Sequence, residues 1–97
     1  MTDNEKRIYK DAIGTVGINA QVNGAIEECA ELIVALEHWK RERCAADHND
    51  IITEIADVKI MCDQLSLMFG EAQVDIEKHR KVERLDERLE IYRNGKD

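Results

Sequence analysis

The sequence of 97 residues contains no proline, and only 4% of its residues are aromatic. Strands favour aromatic and β-branched residues, and the many turns of an all-β fold favour glycine and proline. This shortage argues against an all-β fold, whereas 36% charged residues among regularly spaced apolar ones are typical of helices. The sequence therefore predicts a single all-α domain over residues 1–97.

The sequence also lacks a CxxC pair and any apolar run near the length of about 20 residues that spans a bilayer. Its three cysteines suit reduced thiols, and its charged N-terminal segment does not resemble a signal peptide. Fourteen Lys and Arg stand against 21 Asp and Glu, and the net charge of −7 repels the phosphate backbone of nucleic acids. We therefore expect a cytoplasmic protein with no nucleic-acid partner and no membrane span.

Apolar spacing and helix-end signals predict four helices. Thr2 or Asp3 can cap the first helix, and Gly14 and Gly17 are expected to end it, since glycine readily adopts non-helical angles. The other three helices are predicted at 19–43, 50–69 and 74–92.

The segment 42–50 is predicted to be a turn, with Asp47 or Asn49 capping the third helix. That helix is apolar on almost every side, which is typical of the most buried helix of a bundle. The last helix is expected to pack by one stripe, formed by Val82, Leu85, Leu89 and Tyr92. Because so short a chain yields a thin core, we expect a four-helix bundle that is completed by forming a homo-oligomer.

Four acidic residues interrupt the second and third helices. Glu28 and Glu31 lie in AIEECAELIVAL, and Glu54 and Asp57 lie in IITEIADVKIM. Each pair is spaced i, i+3, so its carboxylates share one helix face and repel each other. Such spacing also occurs on solvated helix faces, but the apolar neighbours here leave little surface for solvent. A divalent metal in an interhelical groove would offset the repulsion, and oxygen-only ligands suit Mg²⁺ or Mn²⁺.

The two acidic pairs, Glu28-x-x-Glu31 and Glu54-x-x-Asp57, resemble the ExxE…ExxD signature of the MazG-like nucleoside triphosphate pyrophosphohydrolases. The segments EECAEL and EIADV also resemble the family's metal-binding segments, and the resemblance covers roughly residues 20–90. It implies a MazG-like all-α bundle, assembled as a dimer or tetramer, in which the four acids hold Mg²⁺ and bind a triphosphate. It also implies hydrolysis of nucleoside or deoxynucleoside triphosphates to monophosphate and pyrophosphate.

This chemistry requires neutralisation of a polyanion and a positioned water, and it needs no protein nucleophile. The predicted catalytic and metal-binding residues are therefore Glu28, Glu31, Glu54 and Asp57. Any of the four could also orient the attacking water. None of the histidines His38, His48 and His79 has HxxxH or HExxH spacing, so none is expected to bind a metal.

A basic stripe on the last helix is formed by Lys81, Arg84 and Arg88. In the related family, a Lys and an Arg in a KxxR arrangement contact phosphate. The resemblance thus implies that Lys81 and Arg84 bind the triphosphate, with Arg88 as a further candidate. The alternative is a set of surface ion pairs, for example between Glu77 and Lys81.

Two amides flank the acidic residues and are candidate substrate contacts. Gln64 follows Asp57 at a position where several relatives carry Asn, and Gln21 precedes Glu28 on the second helix. Each amide could hydrogen-bond the substrate or serve packing alone. Two other functions also fit the sequence: a dUTPase-like or phosphoribosyl-ATP pyrophosphohydrolase relative, and a non-catalytic helical interaction module.

Overall fold

The computed structural model describes residues 1–43 and 45–95, with the backbone alone at 45 and 46. Throughout these residues the regular secondary structure is helical. The predicted all-α class with four helices is confirmed, and no described helix is both long and apolar enough to cross a bilayer. The helices are α1 (Asp3–Val16), α2 (Ile18–Glu42), α3 (Ala45–Phe69) and α4 (Glu71–Arg93).

The ends of α1 follow from a capping box and a glycine. Thr2 Oγ1 accepts a hydrogen bond from the Glu5 backbone N–H at 3.0 Å, and Glu5 Oε1 accepts one from the Thr2 N–H at 2.7 Å. Gly17 ends the helix with φ +96°. The prediction that Gly14 also ends it is wrong, because one interior glycine costs only about 1 kcal/mol and the helix continues to Val16.

The connection between α2 and α3 is shorter than predicted. Arg43 ends α2 in the left-handed conformation, with φ 55°, and its guanidinium lies 4.0 Å from the centroid of the Trp39 ring. Because α3 begins at Ala45, the prediction of a turn over 42–50 is wrong; Cys44 lies outside the described residues. Asp47 occupies the first turn of α3, where the helix dipole favours negative charge as it does at an N-cap.

The α4 helix extends away from the other helices. It begins at Glu71, earlier than the predicted start at residue 74, and an ion pair of 3.0 Å joins Lys6 of α1 to Glu71. Within the described chain, its only other helix contact is with α3. Every residue from 72 to 95 is exposed. The expected packing stripe is therefore uncovered in the single chain, with Val82, Leu85, Leu89 and Tyr92 all exposed.

The remaining helices form a thin core. α2 and α3 lie antiparallel along most of their length, and α1 contacts both. Among the described apolar residues only Tyr9 and Ala25 are buried, and the predicted most buried helix, α3, exposes Ile52 and Ile55. The radius of gyration is 16.9 Å, against about 13 Å for a compact domain of this length. The open shape arises because each helix has neighbours on only part of its surface.

Candidate functional site

Apart from Met61, the facing surfaces of α2 and α3 carry a row of polar and small residues where apolar ones are usual. On each helix these residues recur at alternating steps of three and four, which is the spacing at which side chains interdigitate between two coiled helices. We call this row the polar seam. Its members are Gln21, Gly24, Glu28, Glu31, Ala35 and His38 on α2, and Asp47, Asp50, Glu54, Asp57, Met61 and Gln64 on α3.

Hydrogen bonds at both ends fix the register of the seam. Gln21 Nε2 donates to Gln64 Oε1 at one end, and Gln64 is buried. At the other end His38 Nδ1 lies 3.2 Å from Asp47 Oδ1, and Asp47 is also buried. Between these two pairs the antiparallel register brings the four predicted acids to the middle of the interface.

Three of those acids converge closely. One carboxylate oxygen from each of Glu28, Glu54 and Asp57 lies within 4.8 Å of the others. Oε2 of Glu28 and Oε2 of Glu54 are buried, and neither has a hydrogen-bond partner among the described residues. In the part of the chain that the structure describes, no Lys or Arg forms an ion pair with any of the three. Buried oxygens without partners are costly, so a cation would supply the missing interaction.

Glu31 stands beside this trio and differs from it. It is exposed, and the negative charge of its carboxylate raises the pKa of both Glu28 and Glu54. It also lines a cavity between α2 and α3, together with Glu54. The structure thus places three of the predicted acids in one small volume, while Glu31 interacts with two of them, Glu28 and Glu54, and lines the adjoining cavity.

Burial raises the pKa of the Glu28 carboxyl above its ordinary value, and repulsion from Glu31 and Asp57 raises that pKa further. The pKa of the Glu54 carboxyl is raised in the same way. Burial is the largest cause, and repulsion from Glu31 and Asp57 adds to it. Both shifts have the sign expected of carboxylates that are crowded together without a positive neighbour. A bound cation would reverse them by favouring the ionised forms.

The oxygen donors of the trio fit a hard divalent cation. Mg²⁺ and Mn²⁺ take carboxylate oxygens, whereas Zn²⁺ normally takes nitrogen or sulfur as well. Glu28 and Glu54 each contribute an oxygen that has no hydrogen-bond partner within the described ranges and is therefore available to a metal. The residues present are therefore suited to the predicted metal.

The His38–Asp47 end of the seam contains a cavity of 560 Å³. Sequence reasoning missed it, because it judged His38 only as a metal ligand and placed Asp47 in a turn. A signal was available: His38 follows Glu31, and Asp47 precedes Glu54, by about two helical turns each, so both continue the faces that carry the acids.

The predicted basic residues lie away from the acids in the single chain. Lys81, Arg84 and Arg88 are exposed on α4, which does not contact α2 among the described residues. Glu77, the suggested partner of Lys81, instead accepts hydrogen bonds of 3.0 and 2.8 Å from Arg80. In place of the suggested Glu77–Lys81 pair, Glu77 thus forms a bidentate pair with Arg80, one position earlier.

Comparison with known proteins finds no matching family model, no matching curated protein and no matching solved structure. The resemblance to the MazG-like family thus rests on the sequence motifs alone. What the geometry adds is a carboxylate trio with two unpartnered oxygens, bordered by a cavity on one side and by an amide pair on the other.

Proposed function

We propose that this chain is a MazG-like, Mg²⁺-dependent nucleoside triphosphate pyrophosphohydrolase, which also accepts Mn²⁺. The observation that carries the proposal is the convergence of Glu28, Glu54 and Asp57 within 4.8 Å, with two carboxylate oxygens buried and unpartnered. An interface between two helices gains nothing from such a cluster unless a cation binds there, since uncompensated buried charge destabilises the fold. The ExxE…ExxD resemblance supplies the reaction class.

In this proposal Glu28, Glu54 and Asp57 hold the metal. When bound, Mg²⁺ would neutralise charge on the triphosphate and polarise its phosphoryl oxygens. Glu31, which lines the cavity beside the trio, orients the attacking water and accepts its proton. The water oxygen forms a new bond to phosphorus at the α–β anhydride, the anhydride bond breaks, and nucleoside monophosphate and pyrophosphate are released.

The proposal also requires positively charged side chains near those phosphates of the triphosphate that the metal does not neutralise. A chain of net charge −7 repels a triphosphate, and one metal site cancels only part of that repulsion. Lys81 and Arg84 are the proposed phosphate contacts, with Arg88 beside them, and Arg can grip phosphate oxygens in a bidentate manner. Because α4 does not contact α2 in the described chain, we propose that a second copy brings these residues to the acids.

Exposed apolar surface supports that assembly. Ile26 and Ile33 of α2 are 62% and 61% exposed beside the polar seam, and Val82 and Leu85 of α4 are both 55% exposed. An apolar groove of 450 Å³ is lined by Ile26 and Ile33, with Leu65 of α3. A homo-oligomer in which α4 of one copy covers this groove would bury both surfaces and complete the thin core.

The test is an assay of a panel of nucleoside triphosphates with Mg²⁺, in which monophosphate and pyrophosphate are measured separately. Glu54→Gln should lower kcat/KM by at least about a hundredfold, because it removes a ligand needed in the transition state. Glu27→Gln is the matched control, since Glu27 is an exposed neighbour outside the cluster. Calorimetric titration of Mg²⁺ should show the same contrast between the two variants.

The outcomes separate the alternatives. Release of pyrophosphate from dUTP alone, or from phosphoribosyl-ATP alone, would assign the chain to those narrower relatives. Inactivity across the panel, with Mg²⁺ affinity equal in Glu54→Gln and wild type, would overturn the proposal and leave a non-catalytic helical module. Inactivity with intact metal binding would retain the metal site and remove the reaction.

A further inference from the structure

The cavity at the His38 end of the polar seam continues directly from the acids. Its volume is 560 Å³, within the range of about 300 to 1,000 Å³ that small-molecule sites occupy. Residues of both helices line it: Ala30, Glu31, Val34, Ala35 and His38 of α2, and Asp47, Asp50 and Glu54 of α3. From Glu31 to His38, α2 rises by roughly 10 Å. This length matches the reach from a 5′-phosphate to the far edge of a base.

The opposite direction along the seam is closed. A Cβ at Gly24 would lie 3.3 Å from Met61 Cε, so the Met61 side chain already fills the space beside Gly24. Beyond it, the amide of Gln21 donates to the buried Gln64. Along the seam, a molecule whose phosphates sit at the acids therefore has room for its remaining part toward His38.

Apart from His38, the polar side chains that line the cavity are carboxylates, which accept hydrogen bonds. Carboxylates such as Asp50 accept only, and an ionised Asp47 requires that His38 Nδ1 carries the proton of their 3.2 Å hydrogen bond. In the neutral ring, Nε2 of His38 is then an acceptor as well. Asp47 is 6% exposed and is held within the helix pair, so it fixes the orientation of the imidazole.

We infer that this cavity receives the nucleoside of the substrate, with the sugar between Ala35 and Asp50 and an amino-bearing base at His38. The inference rests on the proposed function, because it takes the phosphates to lie at the acids. The small side chain of Ala35 leaves space for the sugar ring, and Asp50 accepts from its hydroxyls. An exocyclic amino group donates to His38 Nε2, whereas the 4-carbonyl of uracil or thymine would face the same lone pair and be repelled.

The test compares ligands that differ only in these parts. Calorimetry at saturating Mg²⁺ measures the binding of inorganic tripolyphosphate and of non-hydrolysable α,β-methylene analogues of CTP and UTP. With wild type, we expect the CTP analogue to bind at least tenfold more tightly than either the UTP analogue or tripolyphosphate. The UTP analogue lacks the hydrogen bond to His38 Nε2 and instead places two acceptors against each other, and this difference accounts for the ratio.

Two variants separate the cavity from the phosphate site. Ala35→Leu fills the sugar position, so both nucleotide analogues should bind no better than tripolyphosphate, whose own affinity should stay within twofold. His38→Ala should bring the CTP and UTP analogues to within about twofold of each other. Ala72→Leu, at an exposed position of α4, is the matched control and should change none of these values. Circular dichroism checks that each variant retains its helices.

The results distinguish this inference from the proposed function. If tripolyphosphate and both analogues bind wild type equally, or if Ala35→Leu leaves the analogues unaffected, the cavity does not hold the nucleoside, while triphosphate hydrolysis would still stand. If His38→Ala keeps the preference for the CTP analogue, the assignment of the base to His38 is wrong. Should Ala35→Leu unfold, the wild-type ratios and His38→Ala decide the matter. Absence of binding by every ligand, with no hydrolysis, would remove both proposals.

Discussion

Gly24 of α2 and Met61 of α3 face each other across the polar seam, so closely that a Cβ at Gly24 would lie 3.3 Å from Met61 Cε. A glycine in the middle of a long helix weakens it, and here its missing side chain leaves room for the methionine. The contact lies about one turn from Glu28 and thereby sets how closely α2 and α3 approach beside the acidic trio.

Gly24→Ala should stabilise the protein by about 0.5 to 1 kcal/mol, because alanine is the better helix former and the end of the Met61 side chain is flexible enough to move aside. Urea denaturation followed by circular dichroism measures the change. A loss of stability would show that Met61 cannot move and that the glycine is required by packing. The side chain in Gly24→Leu is too large to be accommodated by movement of Met61, so this variant should be less stable than wild type.

The stability of the metal-free protein should depend on pH through Glu54. The folded-state pKa of this carboxyl is raised by burial and by repulsion from Glu31 and Asp57, so its ionised form is disfavoured in the folded state. The destabilisation is absent below the ordinary glutamate pKa, grows as the pH rises from that value through the raised pKa, and is constant above it.

In the presence of a chelator, Glu54→Gln should therefore melt at a higher temperature than wild type at neutral pH, with the difference shrinking toward acidic pH. Thermal melts across a pH series measure it, and Glu27→Gln should follow wild type. A variant that melts lower at every pH would mean that the Glu54 carboxylate is held by structural hydrogen bonds instead.

The two glycines near the end of α1 should respond in opposite ways to alanine. Gly17 has φ +96°, a conformation that side chains rarely adopt, so Gly17→Ala should cost about 1 to 3 kcal/mol. Gly14 lies inside the helix, and no atom lies within 4 Å of the position that its Cβ would take. Gly14→Ala should thus gain up to about 1 kcal/mol. Equal effects in a denaturation experiment would contradict the assigned end of α1.

Assembly should depend on the apolar stripe of α4. Leu85 is 55% exposed in the single chain, and Leu85→Glu would place a charge on the surface proposed to bury the groove of a second copy. Sedimentation at micromolar concentration should show wild type as an oligomer and Leu85→Glu as a species near 11.2 kDa. Glu87→Gln, an exposed polar position on α4, should leave the oligomer intact. A wild type that sediments only as the single chain would rule out the assembly.

The proposed supply of basic residues from a second copy can be tested by mixing variants. Arg84→Ala should lower kcat/KM by about 10- to 100-fold, as expected for the loss of a charged hydrogen bond, and Glu54→Gln should abolish activity. Mixed oligomers of the two variants contain sites with an intact acidic trio and an intact Arg84 from different chains. The mixture should therefore be more active than either variant alone. If subunits exchange and the mixture gains nothing, Arg84 does not act between copies.

The sequence predicted the helices better than their packing. Thr2 and Gly17 are local signals, and each marks an end of α1 as expected. The start of α3 was missed because Asp47 is favourable both as an N-cap and within the first turn, and local preference does not distinguish these positions. The exposure of Leu85 could not be predicted either, since an apolar stripe does not reveal whether its partner lies in the same chain.

The candidate site was likewise predicted only in part, because spacing along one helix is visible in the sequence and the packing between helices is not. The spacing of the acids predicted that Glu54 and Asp57 face an interhelical groove, and the structure places both there with Glu28. The contribution of His38 and Asp47 depends on the register between α2 and α3, and sequence spacing on one helix does not fix that register. Polar residues at alternating steps of three and four on both helices are the pattern that would have revealed it.

The polar seam couples the binding of any ligand to the free energy of unfolding. A typical helix pair is held by apolar side chains at these positions, but here the central layers are carboxylates that repel each other. Whatever binds there converts the repulsion into attraction, and it stabilises the folded state by mass action. At a free concentration a hundred times its dissociation constant, a ligand adds about 2.7 kcal/mol, a large fraction of what a small domain possesses. The folded population of this chain would therefore rise and fall with the supply of its ligand.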